Sequence, residues 1–383
     1  MSNHIKKIFV FSFFCFIAVI GFLTLDNETK KSEVEGRRLM TFPKLDYQKF
    51  SDSRYMQNIG DAFSDQLQYR TSMIEKYFDI TTNVLKIGYQ GTTVIGKEDY
   101  LFSEPEVITG EEEYDKEIRK IAKLINKEAK KVTDSGSKFI YIHYPRKDIL
   151  MERYLPSFYI SGKERYEKSL KILKENLSED VIFIDALELF EETGSEEYFY
   201  KTDHHVNIEG QEIIYKTVTN LMKEQFPKMD VKLLDSYKIK KTDIVGSFDR
   251  NIGNAIESGK ENLAIKPKGW KVKYKRNSKA KIWGKGDTYA KCFMGGDYAF
   301  TEVTTKNKNN PDVLICGSSF TNSLESLMVP SARKMISLDF RYNKQKRTMA
   351  DFVEEYQPDY TIFIPCQSDK SFSYETTKLH LGL

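Results

Sequence analysis

The hydrophobic pattern of the chain begins with an uncharged, largely apolar run over residues 8–25, which follows Lys6 and Lys7. A largely apolar run of eighteen residues is just long enough to span a bilayer, and a basic N-terminal flank favours a cytoplasmic start. The polar segment that follows has no small-residue cleavage site typical of a secretory signal peptide. Residues 1–25 are therefore predicted to be a cytoplasmic tip and an uncleaved transmembrane anchor, with a cleaved signal peptide as the alternative.

Two further patterns follow the apolar run. Residues 26–46 are polar and charged, which is typical of a linker, and one large domain is predicted over residues 47–383. Within it, residues 47–85 place apolar side chains at helical spacing. The segment TTVIGKEDYLF, residues 92–102, predicts two short strands joined by a turn.

From residue 111 onward, short apolar strands alternate with helices. The predicted strands cover residues 138–144, 181–185, 312–317, 334–340 and 359–365. The predicted helices cover residues 111–133, 162–176, 206–226 and 348–356. This alternation predicts an α/β fold in which helices cover both faces of a parallel sheet. Residues 230–310 are Lys-rich, include Trp270 and Trp283, and are predicted to be an inserted β-rich region.

Charge and cysteine content narrow the function classes. The chain has 59 basic and 56 acidic residues, a net charge of +3, which gives no support for nucleic-acid binding. Cys15, Cys292, Cys316 and Cys366 show no CxxC pair and no Cys/His metal spacing. We therefore interpret the cysteines as structural thiols, with a disulfide between two of them as the alternative. No bound metal is expected.

The first chemical motif is the sequence TDHHV. In an extended stretch, positions two apart point the same way, so the carboxylate of Asp203 is placed to orient the imidazole of His205. That pairing is the base and orienting half of a catalytic triad. The alternative is that Asp203 or Asn207 caps the following helix and that the histidines lie on the surface. A metal held by His204 and His205 is a weaker interpretation.

The second motif is ICGSSFTNS, residues 315–323, in which a strand ends at Gly317 and a helix follows. Backbone N–H groups at a helix start are suited to stabilise a developing oxyanion. Serine is a weak nucleophile and needs a base such as His205. By position, Ser318 and Ser319 are both candidates, and small residues that simply cap a helix are the alternative. In parallel sheets, ligands gather at the carboxyl ends of the strands.

These motifs resemble a known family. TDHHV resembles the signature of the DHHW proteins, with Val206 where the signature has tryptophan, and GSSF resembles the Gly-Asp-Ser-Phe block of SGNH hydrolases, with Ser318 at the aspartate. The order, Asp-x-His before the serine, is that of the AlgX/AlgJ-like polysaccharide O-acetylation proteins. Further stretches that resemble the family are GRRLMTFPKL, DAFSDQLQYR, VIGKEDYLF, YPRKDIL and DFVEEYQPDYTIFI.

The resemblance implies an SGNH-like fold and an extracellular O-acetyltransferase held at the membrane by its anchor. Ser319 would carry the acetyl group, His205 would act as base and Asp203 would orient it. The substrate- and oxyanion-binding residues would be Gly317, Gly295, Gly296 and Arg341. No cofactor is implied, because a membrane-bound O-acyltransferase partner would supply the acetyl donor, and the acceptor would be a polysaccharide.

Several interpretations compete with these assignments. Arg341 could instead form a structural salt bridge with Asp339, and Asp297 is more typical of a turn. Lys147, in YPRKDIL, is expected to be a solvated surface residue. A glycan acetylesterase with the same triad, a catalytically inactive assembly factor and a protein of teichoic-acid D-alanylation are the alternative functions.

Overall fold

The computed structural model describes most of the chain, in two compact units. The described residues are 3–32, 34–35, 37–105, 110–257, 259–269, 275–276, 279–284, 286–343, 346–365 and 372–383. The first unit comprises residues 1–91 and 249–255, and the second comprises residues 92–248 and 256–383. Cys366 and Trp270, which the sequence analysis singled out, lie outside the described residues.

The first unit is built mainly from helices. Its elements are α1 (Asn3–Leu25), β1 (Lys31–Ser32), β2 (Arg37–Arg38), α2 (Ser53–Gln66), α3 (Arg70–Asp79) and β3 (Tyr89–Gln90). Asp52 begins α2 by accepting hydrogen bonds from the N–H groups of Arg54 and Tyr55, as an N-cap does. In α1, the span His4–Leu25 has a mean hydropathy of 2.7 and is almost entirely exposed. Its length and composition suit either a membrane anchor or a signal sequence.

The second unit contains the alternating strands and helices. Its strands are β4 (Thr93–Ile95), β5 (Leu101–Ser103), β6 (Lys138–His143), β7 (Val181–Asp185), β8 (Tyr237–Asp243), β9 (Lys260–Pro267), β10 (Lys275–Arg276), β11 (Phe300–Thr304), β12 (Asp312–Gly317), β13 (Lys334–Leu338) and β14 (Tyr360–Ile364). Its helices are α4 (Glu111–Asp134), α5 (Lys147–Leu150), α6 (Lys163–Asn176), α7 (Ala186–Glu192), α8 (Ile208–Gln225), α10 (Tyr289–Cys292), α11 (Thr321–Met328), α12 (Met349–Tyr356) and α13 (Tyr374–His380). A further short helix, α9 (Ser247–Asn251), begins with residues of the second unit and ends with residues of the first.

The central sheet is mixed, with strand order β10-β11-β13-β12-β14-β6-β7. Strands β13, β12, β14, β6 and β7 are parallel. Strands β11 and β10 add to the β13 edge in antiparallel orientation. The predicted parallel sheet is therefore present, and two antiparallel strands extend it at one edge. Both antiparallel strands come from the region predicted as a β-rich insertion, whose other strands, β8 and β9, form a separate antiparallel pair.

Helices cover both faces of the sheet, as the apolar sequences of the strands predict. Successive side chains in a strand point to opposite faces: Phe139 and Tyr141 of β6 join one hydrophobic cluster, and Ile140 and Ile142 join the other. Helices α4 and α12 contribute to the first cluster, and α8 and α11 contribute to the second. The fold therefore brings the end of β12 and the start of α11 to the carboxyl edge of a buried sheet.

The described cysteines have no disulfide partner. Cys15 is exposed in α1, whereas Cys292 and Cys316 are buried as free thiols. The thiol of Cys316 donates a hydrogen bond to the backbone carbonyl of His380 at 2.9 Å. Packing in the interior therefore accounts for Cys292 and Cys316.

Candidate active site

The sequence TDHHV forms a tight loop before α8. An isolated antiparallel bridge between Phe199 and Val206 closes the loop. The side chain of Asn207 caps α8 by accepting a hydrogen bond from the N–H of Gly210 at 3.0 Å. Asn207, rather than Asp203, is therefore the helix cap, and this leaves the carboxylate of Asp203 available to the histidine.

Asp203, His205 and Ser319 form a chain of hydrogen bonds, although Ser319 is far from the other two residues in the sequence. The Oδ1 atom of Asp203 is 2.6 Å from Nδ1 of His205 and accepts the backbone N–H of the same histidine at 3.0 Å. On the other side of the ring, Nε2 of His205 is 2.9 Å from Oγ of Ser319. This is the arrangement in which a carboxylate fixes the imidazole tautomer and the imidazole can accept the serine proton.

The carboxylate of Asp203 is buried and held on its second oxygen as well. Its Oδ2 atom accepts the backbone N–H of Ser247 at 2.7 Å. Burial alone would raise the pKa of Asp203, but the adjacent His205 and the hydrogen bonds to the carboxylate hold that pKa well below its usual range. The N–H of Ser247 can approach Asp203 because its neighbour Gly246 has no side chain. A Cβ atom at Gly246 would lie 1.9 Å from the carbonyl oxygen of Thr202.

A tyrosine that the sequence analysis did not single out fixes the plane of the histidine ring. Tyr289 stacks on His205 with ring centroids 3.7 Å apart and 3° between the planes. Phe320 contacts the same imidazole, with ring centroids 4.9 Å apart. The Tyr289 hydroxyl donates to Oγ of Ser323 at 3.0 Å and accepts the Ser323 N–H at 3.2 Å. The ring against His205 is thus tied to α11, the helix that follows Ser319.

A buried hydrogen-bond network extends from Ser323. Its hydroxyl donates to Oε1 of Gln211 on α8 at 2.9 Å. The amide of Gln211 in turn donates to the hydroxyl of Tyr144 at 2.8 Å. All three residues are buried, so direct hydrogen bonds join α11, α8 and the residue that follows β6 in a low-dielectric interior.

The turn around Ser319 is set by close backbone packing. At Gly317 a Cβ atom would lie 2.0 Å from the carbonyl oxygen of Ile364. The N–H of Ser318 donates to that carbonyl at 3.3 Å. The Ser318 hydroxyl is buried and bonds none of the described residues, whereas Ser319 meets His205. Of the two candidate serines, only Ser319 has the base beside it.

Two backbone donors lie at the same turn. Within the described chain, the N–H groups of Ser319 and Phe320 donate to no protein acceptor, while the next two N–H groups close the turn onto Ser318 and Ser319. Unengaged N–H groups between a strand and a helix start are suited to bind a developing oxyanion.

Arg341 lies in an ion-pair cluster. Its guanidinium contacts the carboxylate of Asp339 at 2.6 Å and that of Asp297 at 3.2 Å. Asp297 also accepts a hydrogen bond from Asn322, in the first turn of α11, at 2.9 Å. The salt bridge with Asp339 is therefore present, and Asp297 connects Arg341 to the helix that begins beside Ser319.

Gly295 and Gly296 precede Asp297 and adopt positive φ angles of 76° and 131°. These values suit glycine and turn the chain toward the aspartate. The carbonyl of Gly295 accepts a hydrogen bond from the hydroxyl of Tyr298 at 3.2 Å. The turn places Asp297, and a role for the two glycines in oxyanion binding stays a prediction.

Lys147 is buried, which contradicts the expectation of a surface lysine. Its ammonium donates to the backbone carbonyls of Tyr200, Lys201 and Asp203 at 2.7, 2.7 and 3.1 Å. Burial lowers the pKa of Lys147 to about 7. The three carbonyls and nearby aromatic faces favour the ammonium form. Lys147 therefore holds the loop that presents Asp203.

The cluster of Asp203, His204 and His205 brings three potential metal ligands within 4.8 Å. Both ring nitrogens of His205 already face Asp203 and Ser319. Nδ1 of His204 lies 2.6 Å from the hydroxyl of Ser247. The arrangement is thus more consistent with a hydrogen-bonded relay than with a metal centre.

The fold and this hydrogen-bonded set define the class of protein: the second unit is an SGNH hydrolase-like α/β structure. Residues 93–260 match the family described as ALGX, SGNH hydrolase-like domain, acetyltransferase AlgX. This segment includes Asp203 and His205 and ends before Ser319. The expected resemblance to the AlgX-like SGNH hydrolase proteins is thereby confirmed over this segment. No curated protein matches the sequence.

Three solved structures are similar to this chain at low identity, and the two with TM-scores above 0.5 share its fold. PatB1 of Bacillus cereus is 20% identical with a TM-score of 0.59, over 74% of this chain and 98% of PatB1. A DHHW family protein from Eubacterium siraeum is 19% identical with a TM-score of 0.55, over 76% and 95% of the two chains. The O-acetyltransferase domain of Pseudomonas putida AlgJ is 15% identical with a TM-score of 0.45, over 76% and 99%.

Proposed function

We propose that this chain is an extracytoplasmic O-acetyltransferase that moves an acetyl group through an acyl-serine at Ser319 onto a polysaccharide hydroxyl. The observation that carries the proposal is the hydrogen-bonded series Asp203–His205–Ser319. The match of residues 93–260 to an acetyltransferase family supports acetyl as the group transferred. In this proposal a membrane-bound O-acyltransferase supplies the donor, and α1 anchors the catalytic unit outside the membrane.

The first half-reaction forms the acyl-enzyme. Oγ of Ser319 attacks the acetyl carbonyl of the donor while its proton passes to Nε2 of His205. The carboxylate of Asp203 stabilises the resulting imidazolium. The N–H groups of Ser319 and Phe320 donate to the tetrahedral oxyanion. The bond to the leaving group then breaks, and that group takes the proton from His205.

The second half-reaction moves the acetyl group to the acceptor. A sugar hydroxyl gives its proton to His205 and attacks the acetyl carbonyl of acyl-Ser319. As the tetrahedral intermediate collapses, the Ser319 oxygen leaves and regains the proton from His205. Water in place of the sugar gives acetate, so exclusion of water from the acyl-enzyme separates a transferase from an esterase.

The test uses the full chain in lipid nanodiscs with a chromogenic acetyl ester. Ser319→Ala is expected to lower kcat by about 1,000-fold or more, since removal of a triad nucleophile has effects of that size. Ser318→Ala is the matched control and is expected to retain activity, because its hydroxyl bonds none of the described residues. Mass spectrometry is expected to find the acetyl adduct on Ser319.

An oligosaccharide acceptor then distinguishes the functions. Transfer of isotopically labelled acetyl to the sugar, lost in Ser319→Ala, supports the transferase. Release of all the label as acetate, with the acceptor present, supports the esterase instead. Neither turnover nor adduct, even with an acyltransferase partner in the same nanodisc, overturns the proposal in favour of an inactive assembly factor.

A further inference from the structure

Helix α3 of the first unit carries an exposed apolar stripe. The side chains of Tyr69, Met73, Tyr77 and Ile80 are 63%, 45%, 60% and 50% exposed. Residues three and four apart lie on the same side of a helix, so this spacing aligns Met73 and Tyr77 along one face of α3, while Tyr69 and Ile80 are the residues that flank the helix. The stripe continues into the helical turn after α3, where Val84 is 69% exposed. An aligned apolar face of this length is unusual on a surface in contact with water alone.

The opposite side of α3 already has a packing partner within the same unit. A Cβ atom at Gly253 would lie 2.8 Å from the ring of Phe78, and Asn83, just beyond α3, donates to the carbonyl of Ala255 at 3.1 Å. The inner face therefore contacts residues 249–255 through Phe78. The stripe is the outer face of the helix.

The start of α3 is tied to the end of the apolar helix α1. The hydroxyl of Thr24, near the last turn of α1, accepts the backbone N–H of Gln68 at 3.1 Å. Two residues earlier, the Gln66 amide forms hydrogen bonds in both directions with the backbone of Thr29, at 2.8 and 2.7 Å. If α1 spans the bilayer, these bonds place the first residues of α3 at the level where the span ends.

The side chains of the stripe suit that level. Tyrosine is enriched at membrane–water interfaces because its ring is apolar and its hydroxyl is polar. Met73 and Ile80 add apolar area between and beyond the two tyrosines, and Lys76 is an exposed basic residue beside the stripe. The exposed residues beside the stripe also include Glu75 and Asp79. An apolar face with charged residues beside it is typical of a helix that lies in the membrane interface.

We infer that α3 lies on the outer surface of the bilayer, with Tyr69, Met73, Tyr77 and Ile80 at the boundary between headgroups and acyl chains. The inference rests on the proposed anchoring through α1. Lipid contact along α3 limits rotation of the first unit about the end of its anchor. A membrane-borne partner protein that covers the stripe is the competing occupant, and the test below separates the two.

The experiment reconstitutes the full chain into liposomes made with and without brominated lipids, which quench nearby tryptophan. Tyr77→Trp and Met73→Trp report on the stripe. Thr71→Trp, on the other side of the same helix, is the matched control, and Phe14→Trp reports on insertion of α1. Each signal is measured as the difference from the parent chain, which contains Trp270 and Trp283. Loss of fluorescence is expected at positions 14, 73 and 77 and not at 71.

The outcomes separate the inference from the proposals on which it rests. Quenching at position 14 without quenching at 73 and 77 overturns the inference and leaves the anchor in place. That result is the one expected if a partner protein, absent from the liposomes, is the true occupant. No quenching at position 14 shows that α1 does not insert into the bilayer. That result overturns both the proposed anchor and the inference about α3. Turnover of the acetyl ester in the same liposomes reports on the Ser319 chemistry independently.

Discussion

Replacing Tyr289 with leucine removes the ring that lies flat against His205, 3.7 Å away between centroids. In the proposed reaction the imidazole becomes an imidazolium, and the negative face of an aromatic ring favours the cation. The contact therefore stabilises the transition state more than the ground state. A desolvated contact of this type contributes about 1–2 kcal/mol. At about 1.4 kcal/mol per tenfold in rate, kcat/KM is expected to fall about 5- to 30-fold.

Tyr289→Phe is the matched control, because it keeps the aromatic face and removes only the hydroxyl. That hydroxyl forms two hydrogen bonds with Ser323, and a typical intramolecular hydrogen bond contributes about 1 kcal/mol. The phenylalanine variant is therefore expected to lose about 1–2 kcal/mol of unfolding free energy. Its kcat/KM is expected to stay close to that of the parent. Urea unfolding and turnover of a chromogenic acetyl ester measure the two quantities separately.

Two results would refute the reasoning about Tyr289. If Tyr289→Leu retained the parent kcat/KM, the stacked ring would have no effect on the base. If Tyr289→Phe lost as much activity as Tyr289→Leu, the hydroxyl network to Ser323 would be responsible rather than the aromatic face. Circular dichroism on each variant establishes that the comparison is made between folded proteins.

Two further substitutions test buried charges near the site. Lys147→Met leaves three loop carbonyls without their donor. We therefore expect kcat to fall about tenfold or more and the free energy of unfolding to fall by about 3 kcal/mol. Turnover and urea unfolding measure these quantities, and parent-like values of both would contradict the expectation. Burial raises the pKa of Glu325 from 4.5 to about 7, so the folded state binds more protons than the unfolded state between these values and stability falls as pH rises through that window. Glu325→Gln is therefore expected to remove this dependence of stability on pH and to add at most about 3 kcal/mol to the free energy of unfolding at pH 8. The exposed control Glu354→Gln should leave the pH dependence in place. Urea unfolding at pH 5 and pH 8 measures both variants, and an unchanged pH dependence in Glu325→Gln would refute the assignment.

The sequence predicted the parallel strands and the main helices because their apolar residues repeat at the spacing of each element. It also predicted the pairing of Asp203 with His205, which depends only on two positions that are two residues apart. Contacts that join distant segments had no such pattern. Tyr289 and the antiparallel strand β11 come from the Lys-rich region, where polar and aromatic residues alternate irregularly. Lys147 was expected at the surface because its carbonyl partners belong to a loop whose fold the sequence does not specify.

The structure also accounts for the two departures from the family signatures. Val206, at the position of the signature tryptophan, is buried, and a Cβ atom at Gly210 would lie 2.8 Å from its side chain. A much larger side chain at position 206 would need the loop to move.

In this chain the aromatic ring against His205 comes instead from Tyr289.

Ser318, at the position of the signature aspartate, leaves the turn intact because main-chain bonds hold that turn. Its N–H donates to Ile364, and its carbonyl accepts the N–H of Thr321 at 3.0 Å. An aspartate in that buried position would carry a charge that none of the described residues neutralises through its present contacts. Both departures are thus compatible with a working arrangement of Asp203, His205 and Ser319, which is why the acyl-enzyme proposal is favoured over an inactive protein.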